Sequence, residues 1–443
     1  LFLINTSFAQ EGPSSRLEIE EIIVTGTKRD IGQQDAAIAV SAITEQAFAN
    51  QNANDPRAIA SLVPNVTLTL QPAFNAVAGG IRGTGSISIL VTEDPSVAFL
   101  VDDFGLNHVQ SQFIEMFDIE QIEVYRGPQG TLFGKNATGG VISVTTKKPV
   151  LDEWSGEFSA MAGQYDWNEG SINKFKLALN APIVEGKVAM RIAAIWDKSQ
   201  GFYTNSKPAG DFPGPIVLNP AAAWPDDGTS LSNVGDGGDL GGKDVLAAKV
   251  KLLFEPNANY SGHLIFEISK DDSGAPPTVN ETECPGGQLF CLLGFPGIHT
   301  PSPNWGGEKW SNPYATGESF HCNSVIAICK GHRMDSKGVY FNQTFAIGDN
   351  YTLKSITGYR NHEERNASTY TGEAFASLYD ASRNTERDQM QQEFRLTSEY
   401  DGPFNFTAGV SYAEDNLNFA AYAAVGLQWF LGVPGWIHTD YSS

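Results

Sequence analysis

From Trp154 to the C-terminus, runs of alternating apolar and polar residues are joined by connections that are short, then long, in turn. In one run Val188, Met190, Ile192, Ala194 and Trp196 share a face opposite Lys187, Arg191 and Asp197. In another, Met390, Phe394, Leu396 and Tyr400 oppose Gln391, Glu393, Arg395, Thr397 and Glu399. Period-two alternation marks strands with one apolar face. It predicts strands near 156–165, 171–180, 187–198, 245–255, 259–270, 338–347, 351–362, 388–400 and 404–414, with one more over Asn416–Val425. Residues 181–186, 255–258, 348–350 and 401–403 read as tight turns, and 199–244, 271–337 and 363–387 as long loops. Only 166–170 is short on the long side. A water-soluble sandwich shares the alternation but has no reason to keep its long loops at one end. Structureless stretches beyond ~15 residues are also uncommon inside compact domains. A membrane-spanning antiparallel barrel has both properties.

Composition agrees with one strand face turned to lipid. Charged residues are 18% of the chain, against roughly 25% in average globular proteins. No apolar run is long enough for a transmembrane helix. The net charge of −22 excludes a basic face for nucleic acid. The three long loops hold 18 acidic and 9 basic residues. That balance leans away from a strongly anionic ligand, because a capture surface complements its ligand's charge. Trp224, Trp305, Trp310 and Tyr314 in these loops suit stacking on a sugar or aromatic ligand, and equally suit packing the loops together.

Export is indicated twice. Leu1-Phe2-Leu3-Ile4 is apolar, and Ser7-Phe8-Ala9 places small residues before Gln10, so residues 1–9 read as a signal-peptide remnant. Cys284, Cys291, Cys322 and Cys329 are the chain's cysteines, all in one loop. An even number in one exported loop reads as two disulfides, with three pairings open and the local pairs favoured. Six-residue gaps do not match zinc-ligand spacing, so no metal and no cofactor are expected.

Residues 31–149 have a different texture, with short strands, turns and brief helices. Pro56 starts a helix over Asp55–Leu62, and strands are expected at Val97–Val101, Ile119–Tyr125 and Val141–Thr146. Gly130 to Lys135 is a near miss for a phosphate loop, with three residues between its glycines where four are needed. No H-E-x-x-H, G-x-S-x-G or Cys–His nucleophile signature occurs, so an enzyme is not expected.

The motifs of this region and of the segment before it resemble those of the TonB-dependent outer-membrane receptors. Glu20, Glu21, Ile22, Ile23, Val24, Thr25 and Gly26 resemble the TonB box, placing a TonB-box segment over 10–30. Arg82-Gly83, then Arg126-Gly127-Pro128 with Gly130 and Gly134, then Asn136, Gly139 and Gly140 resemble the plug motifs. Gln392-Glu393-Phe394-Arg395-Leu396 resembles a recurring barrel strand.

The resemblance implies an N-terminal mixed α/β plug domain followed by a transmembrane antiparallel β-barrel over 150–443. Nine or ten strands against the family's roughly 22 make the barrel here partial, and the chain reads as a fragment. The implied function is active import of a scarce nutrient, foremost a ferric siderophore, then a carbohydrate or cobalamin. A passive porin or a secreted β-rich enzyme is disfavoured. The implied partners are TonB with its inner-membrane motor, outer-membrane lipid and a small-molecule ligand, with the chain a monomer. The plug arginines Arg82 and Arg126 take a barrel carboxylate as partner in the family, and Glu393 is the candidate here, the alternative being an in-strand ion pair of Glu393 with Arg395 or contact with water.

Overall fold

The computed structural model describes residues 23–25, 28–29, 31–34, 36–51, 55–71, 76–86, 91–112, 114–166, 170–202, 241–273, 321–322, 329–369, 379–402, 404–425 and 436–442. Short elements of the N-terminal region fill one side of a long antiparallel sheet.

In chain order the first region contains β1 (Ile23–Val24), β2 (Ile31–Gly32), β3 (Val40–Thr44), α1 (Glu45–Ala49) and α2 (Arg57–Leu62). β4 (Val66–Gln71), β5 (Ala76–Ile81), β6 (Thr84–Ser86), β7 (Val97–Val101) and β8 (Phe104–Leu106) follow. β9 (Ile119–Arg126), α3 (Gly130–Phe133) and β10 (Gly140–Thr146) complete it. Its central sheet runs β3-β9-β10-β7-β8, with β10 and β7 parallel and the other pairs antiparallel. Alternation divides the sheet's side chains between two cores. Phe99, Ile122, Val124, Ile142 and Val144 pack one face with Ile59 and Val63. Ala98, Leu100, Tyr125 and Val141 pack the other with Val24. Pro56 stands at the start of α2 as expected, and Asp55 accepts the Arg57 backbone N–H at 3.0 Å.

The long sheet runs β11 (Ser155–Gln164), β12 (Ser171–Val184), β13 (Val188–Ser199), β14 (Lys243–Asn257) and β15 (Tyr260–Asp271). It continues through β17 (Cys329–Ile347), β18 (Tyr351–Thr369), β19 (Tyr379–Ser398), β20 (Thr407–Val425) and β21 (Trp436–Ser442). β16 (His321–Cys322) folds back on β17. Every neighbouring pair is antiparallel.

Each of the nine expected strands is present, but several run longer than their alternation. β17 begins at Cys329, β18 reaches Thr369 and β19 begins at Tyr379, so these strands extend well into the expected loops 271–337 and 363–387. The reason is visible in Asn361-His362-Glu363-Glu364-Arg365-Asn366, which is polar on both faces. Its apolar period is gone while the hydrogen-bonded ladder with β19 continues. Asn416–Val425 is the C-terminal half of β20 and not a separate strand; the tenth long-sheet strand among the described residues is Trp436–Ser442.

Alternation sorts the two faces of the long sheet. Ala189, Arg191, Ala193, Ile195 and Asp197 of β13 are buried toward the N-terminal region, while Trp196 is exposed on the outside. Phe158, Phe175, Phe266, Phe394 and Tyr412 are also exposed there. Phe175 and Trp196 stack with ring centroids 5.5 Å apart. No helix among the described residues is long and apolar enough to cross a membrane. The outer face is the apolar band that a lipid-facing sheet requires.

Candidate functional site

The motif glycines and arginines sit at turns. Arg82 and Gly83 both adopt positive φ between β5 and β6, as do Gly127 after β9, Gly134 after α3, and Asn136. Around them the backbone is stitched tightly. Gly127 N–H donates to Gly139 O at 3.1 Å, Gln129 to Ala137 O at 2.8 Å, and Gly139 to Ser96 O at 2.8 Å. A Cβ on Gly139 would collide with the Thr84 carbonyl oxygen at 2.5 Å, so glycine is required by close backbone approach. These residues shape the plug's turns. Pro128 and Gly130 lie on the same stretch, leading into α3.

The structure does not bring Glu393 to Arg82 or Arg126. Glu393 accepts from its own strand neighbour, with Arg395 Nη2 2.5 Å and Nε 2.8 Å from Oε1. Residues two apart share a strand face, and Arg395, 4% exposed, meets Asp103 Oδ1 only at 4.0 Å. Glu393 therefore supplies the nearby counter-charge. Arg126 Nε is buried without a hydrogen-bond partner among the described residues, and the Arg82 guanidinium lies against Gly127.

Contacts between the two regions run mainly the other way, from plug carboxylates to barrel cations. Asp118, in a left-handed turn before β9, receives Arg191 Nη2 at 2.5 Å and Nε at 3.0 Å, and Lys251 Nζ at 3.1 Å. Lys251 is fully buried and also donates to Lys147 O at 2.7 Å. Burial pushes the Asp118 carboxyl up, but the Arg191 hydrogen bonds and the Lys251 and Arg191 charges outweigh it and hold it below the usual range. His108 Nε2 lies 2.5 Å from Asp415 Oδ2, and Arg387 Nε lies 2.6 Å from the other oxygen. Burial lowers His108 to about 4, outweighing the Asp415 hydrogen bond and charge, and the Arg387 charge adds to the fall. The Glu115 carboxyl, 3.7 Å from Lys243, is raised to about 7, chiefly by burial, with Lys243 opposing and Asp197 adding to the rise. Apolar contact joins in: Phe104 meets Tyr340 at 4.7 Å between centroids, and Ile265 belongs to the plug core.

Of the residues that resemble a TonB box, Ile23, Val24 and Thr25 are described; Glu20, Glu21, Ile22 and Gly26 lie outside the described residues. β1 pairs with β2 through Ile23↔Gly32 and Val24↔Ile31. Val24 is fully buried. Thr25 donates to Glu123 through both its N–H and its hydroxyl, each at 2.8 Å. Gln121 Nε2 donates to Ile23 O at 2.9 Å. Further along, Lys28 Nζ lies 3.8 Å from Asp103 and 4.2 Å from the Phe133 ring centroid. Arg29 reaches the long sheet, donating to Phe406 O at 2.6 Å and Thr407 Oγ1 at 3.1 Å. A cavity of about 330 Å³ opens beside Lys28, between Phe133 and the β19–β20 wall at Arg395 and Ser411.

The β16–β17 register sets Cys322 directly opposite Cys329; Cys284 and Cys291 lie outside the described residues. Among the described residues no group of three or more His, Cys, Asp or Glu is arranged to hold a metal ion.

Glu123, Asp118 and His108 were not singled out from sequence. A glutamate alternating with apolar neighbours in Ile122-Glu123-Val124 was the available signal for the first. The other two lie in irregular segments whose partners are distant in sequence.

Comparison with known proteins follows the same division. Residues 32–141 match the model of the TonB-dependent receptor plug domain. The probable TonB-dependent siderophore receptor PirA of Acinetobacter baumannii is 27% identical over 203 residues, 43% of this chain and 26% of PirA. The ferric enterobactin receptor of Pseudomonas aeruginosa is 27% identical over 227 residues, 46% of this chain and 30% of that receptor. The chain thus spans under a third of these relatives' length. The ferric yersiniabactin uptake receptor FyuA from Yersinia pestis superposes with a TM-score of 0.56 at 13% identity, over 92% of this chain and 60% of FyuA. The siderophore receptor PiuA from Acinetobacter baumannii gives 0.57 at 16% identity, over 88% and 47%. At such identities the superpositions speak for the fold.

Proposed function

We propose that this chain, which belongs to the TonB-dependent outer-membrane receptors, provides the plug and part of the barrel of a transporter that imports a ferric siderophore. The carrying observation is a plug packed against the inner face of a lipid-compatible antiparallel sheet, with the short strand Ile23–Val24 paired beside it. Relatives named as siderophore and ferric enterobactin receptors support the ligand class. The family is one of transport receptors, and the function needs no catalytic group. Its chemistry is binding and displacement.

In this reading the segment Glu20–Gly26 adds as a strand to the periplasmic part of TonB, and force applied there displaces the plug. Strand addition uses backbone N–H and C=O groups, so the residue identities matter less than their capacity to extend and pair. The plug motifs Arg82, Gly83, Arg126, Gly127, Pro128, Gly130, Gly134, Asn136, Gly139 and Gly140 act by keeping the plug's turns intact. The oxidising compartment implied by an outer-membrane location suits a Cys322–Cys329 disulfide with Cys284–Cys291 as the second pair.

The test is Ile23→Pro in the full-length receptor. Proline removes a backbone donor and fixes φ. Binding to the purified periplasmic domain of TonB should fall by at least tenfold, with the receptor still folded in the outer membrane. Unchanged binding would refute the coupling assignment. Growth of a deletion strain on defined iron and carbon sources then tests the ligand class.

A further inference from the structure

We infer that the cavity between the plug and the β19–β20 wall is a binding site for a small oxyanion, a carboxylate or a phosphate, held between Lys28 and Arg395. Such a site is independent of which nutrient the receptor imports and of how the plug is displaced.

The cavity of about 330 Å³ is walled by the plug at Lys28, Asp103 and Phe133, and by the long sheet at Glu393, Arg395 and Ser411. Small-molecule sites enclose roughly 300–1,000 Å³, so this one suits a small ligand. β19 ends at Ser398 and β20 begins at Thr407, so the cavity lies toward the end of the sheet that carries the short turns. In an outer-membrane barrel that end faces the periplasm. Lys28 enters from a tight turn, its N–H donating to Thr25 O at 2.7 Å. Its φ of 61° is left-handed, a conformation uncommon for a side chain of this size. The side chain is 7% exposed, yet Nζ makes no hydrogen bond among the described residues. Asp103 Oδ1 lies 3.8 Å away and the Phe133 ring centroid 4.2 Å. An ammonium with three donors withdrawn from water calls for acceptors. Burial lowers the Lys28 value, with Asp103 opposing and Arg395 adding to the fall.

Arg395, 4% exposed, approaches the same Asp103 oxygen at 4.0 Å. Its Nε and Nη2 are taken by Glu393, and Nη1 makes no hydrogen bond among the described residues. The β18–β19 register sets Lys354 directly opposite Arg395. Directly opposed side chains share a sheet face, where like charges repel. Lys135 also lines the cavity, but it pairs with Asp94 at 3.3 Å. The charges acting on Lys28 are Asp103, Arg395, Glu393 and Lys354. Three cations therefore stand against two carboxylates, a local positive surplus in a chain of net charge −22. Donors with an unmet charge are complemented by an acceptor-only anion, and carboxylate and phosphate oxygens fit that description. Two sources share this chemistry: a carboxylate carried by an imported ligand, and a free anion of the periplasm.

Calorimetric titration of the purified full-length receptor with inorganic phosphate, and separately with citrate, reads the site directly. At least one of the two should saturate at one anion per receptor. Saturation by citrate and not by phosphate assigns the site to a ligand-borne carboxylate, and saturation by phosphate assigns it to a free anion. Lys28→Gln should weaken binding about tenfold or more, because it removes one of the two charges that hold the anion. Ser411 stands opposite Glu393 on the inner face, so Ser411→Trp fills the cavity while both cations stay in place, and should abolish binding. Lys270→Gln, on the outer face, should leave it unchanged. Absence of saturation with both anions overturns the site. Binding that persists in Ser411→Trp, or that Lys28→Gln leaves unchanged, marks an adventitious ion only and overturns it equally. Should Lys28→Gln fail to fold, Ser411→Trp alone decides.

Discussion

Two contacts of the plug use opposite kinds of chemistry. At Asp118 it meets the β13–β14 wall through full charges, with Arg191 and Lys251 buried around one carboxylate. At Thr25 the segment proposed for coupling is held by neutral donors on Glu123, with a two-residue ladder beside them. A buried ion pair stripped of one partner leaves an uncompensated charge and resists separation, typically by about 3–5 kcal/mol. A hydrogen bond to a carboxylate contributes about 1.5–3 kcal/mol and is replaceable by water once the site opens. The difference suits their positions. One contact keeps the plug against a fixed wall, and the other holds a segment whose proposed work requires it to leave.

The comparison can be broken most severely at Asp118. Asp118→Ala should destabilise seating of the plug by about 3–5 kcal/mol, because Arg191 and Lys251 are left buried without their carboxylate. Denaturant titration of the full-length receptor, followed by proteolysis of the plug, measures it. A loss below 1 kcal/mol would show that the cluster is not the anchor.

Acid should weaken a neighbouring anchor. His108 has its folded-state value lowered from 6.5 to about 4, so both states are neutral at high pH and the contribution is fully present there. As pH falls from about 6.5 to about 4, the unfolded state takes up the proton first and the contribution is lost, by about 3 kcal/mol at the limit. Plug stability measured against pH should slope across that window, and His108→Gln should flatten the slope. An identical slope in the variant would assign it elsewhere. The smallest effect is expected at Lys135 and Asp94, 3.3 Å apart with both side chains about half exposed. Lys135→Ala should change stability by less than about 0.5 kcal/mol. A larger change would mean that exposed pairs also help seat the plug.

Much of the architecture was legible because it is local. The inward set Ala189, Arg191, Ala193, Ile195 and Asp197 follows from period two alone. Strand ends were not legible where Asn361–Asn366 is polar on both faces, since backbone pairing leaves no side-chain signature there. The plug motifs were legible by resemblance, and the structure adds that Gly83, Gly127 and Gly134 sit at positive φ and Gly139 at a close backbone approach. For Glu393 the sequence left two partners open, a plug arginine and its strand neighbour, and Arg395 on the same strand face took it.

By itself the sequence determined a plug and an antiparallel sheet with one lipid-compatible face. Each rests on residue periodicity, turn chemistry and connection length, which are properties of neighbours in the chain. Tertiary structure alone decided that Asp118 meets Arg191 and Lys251, that His108 meets Asp415, and that Glu123 receives Thr25. Those pairs are separated by 73 to 307 residues. The strength of each bond depends on how completely water is excluded around it, and burial is set only when the plug and the sheet close on one another.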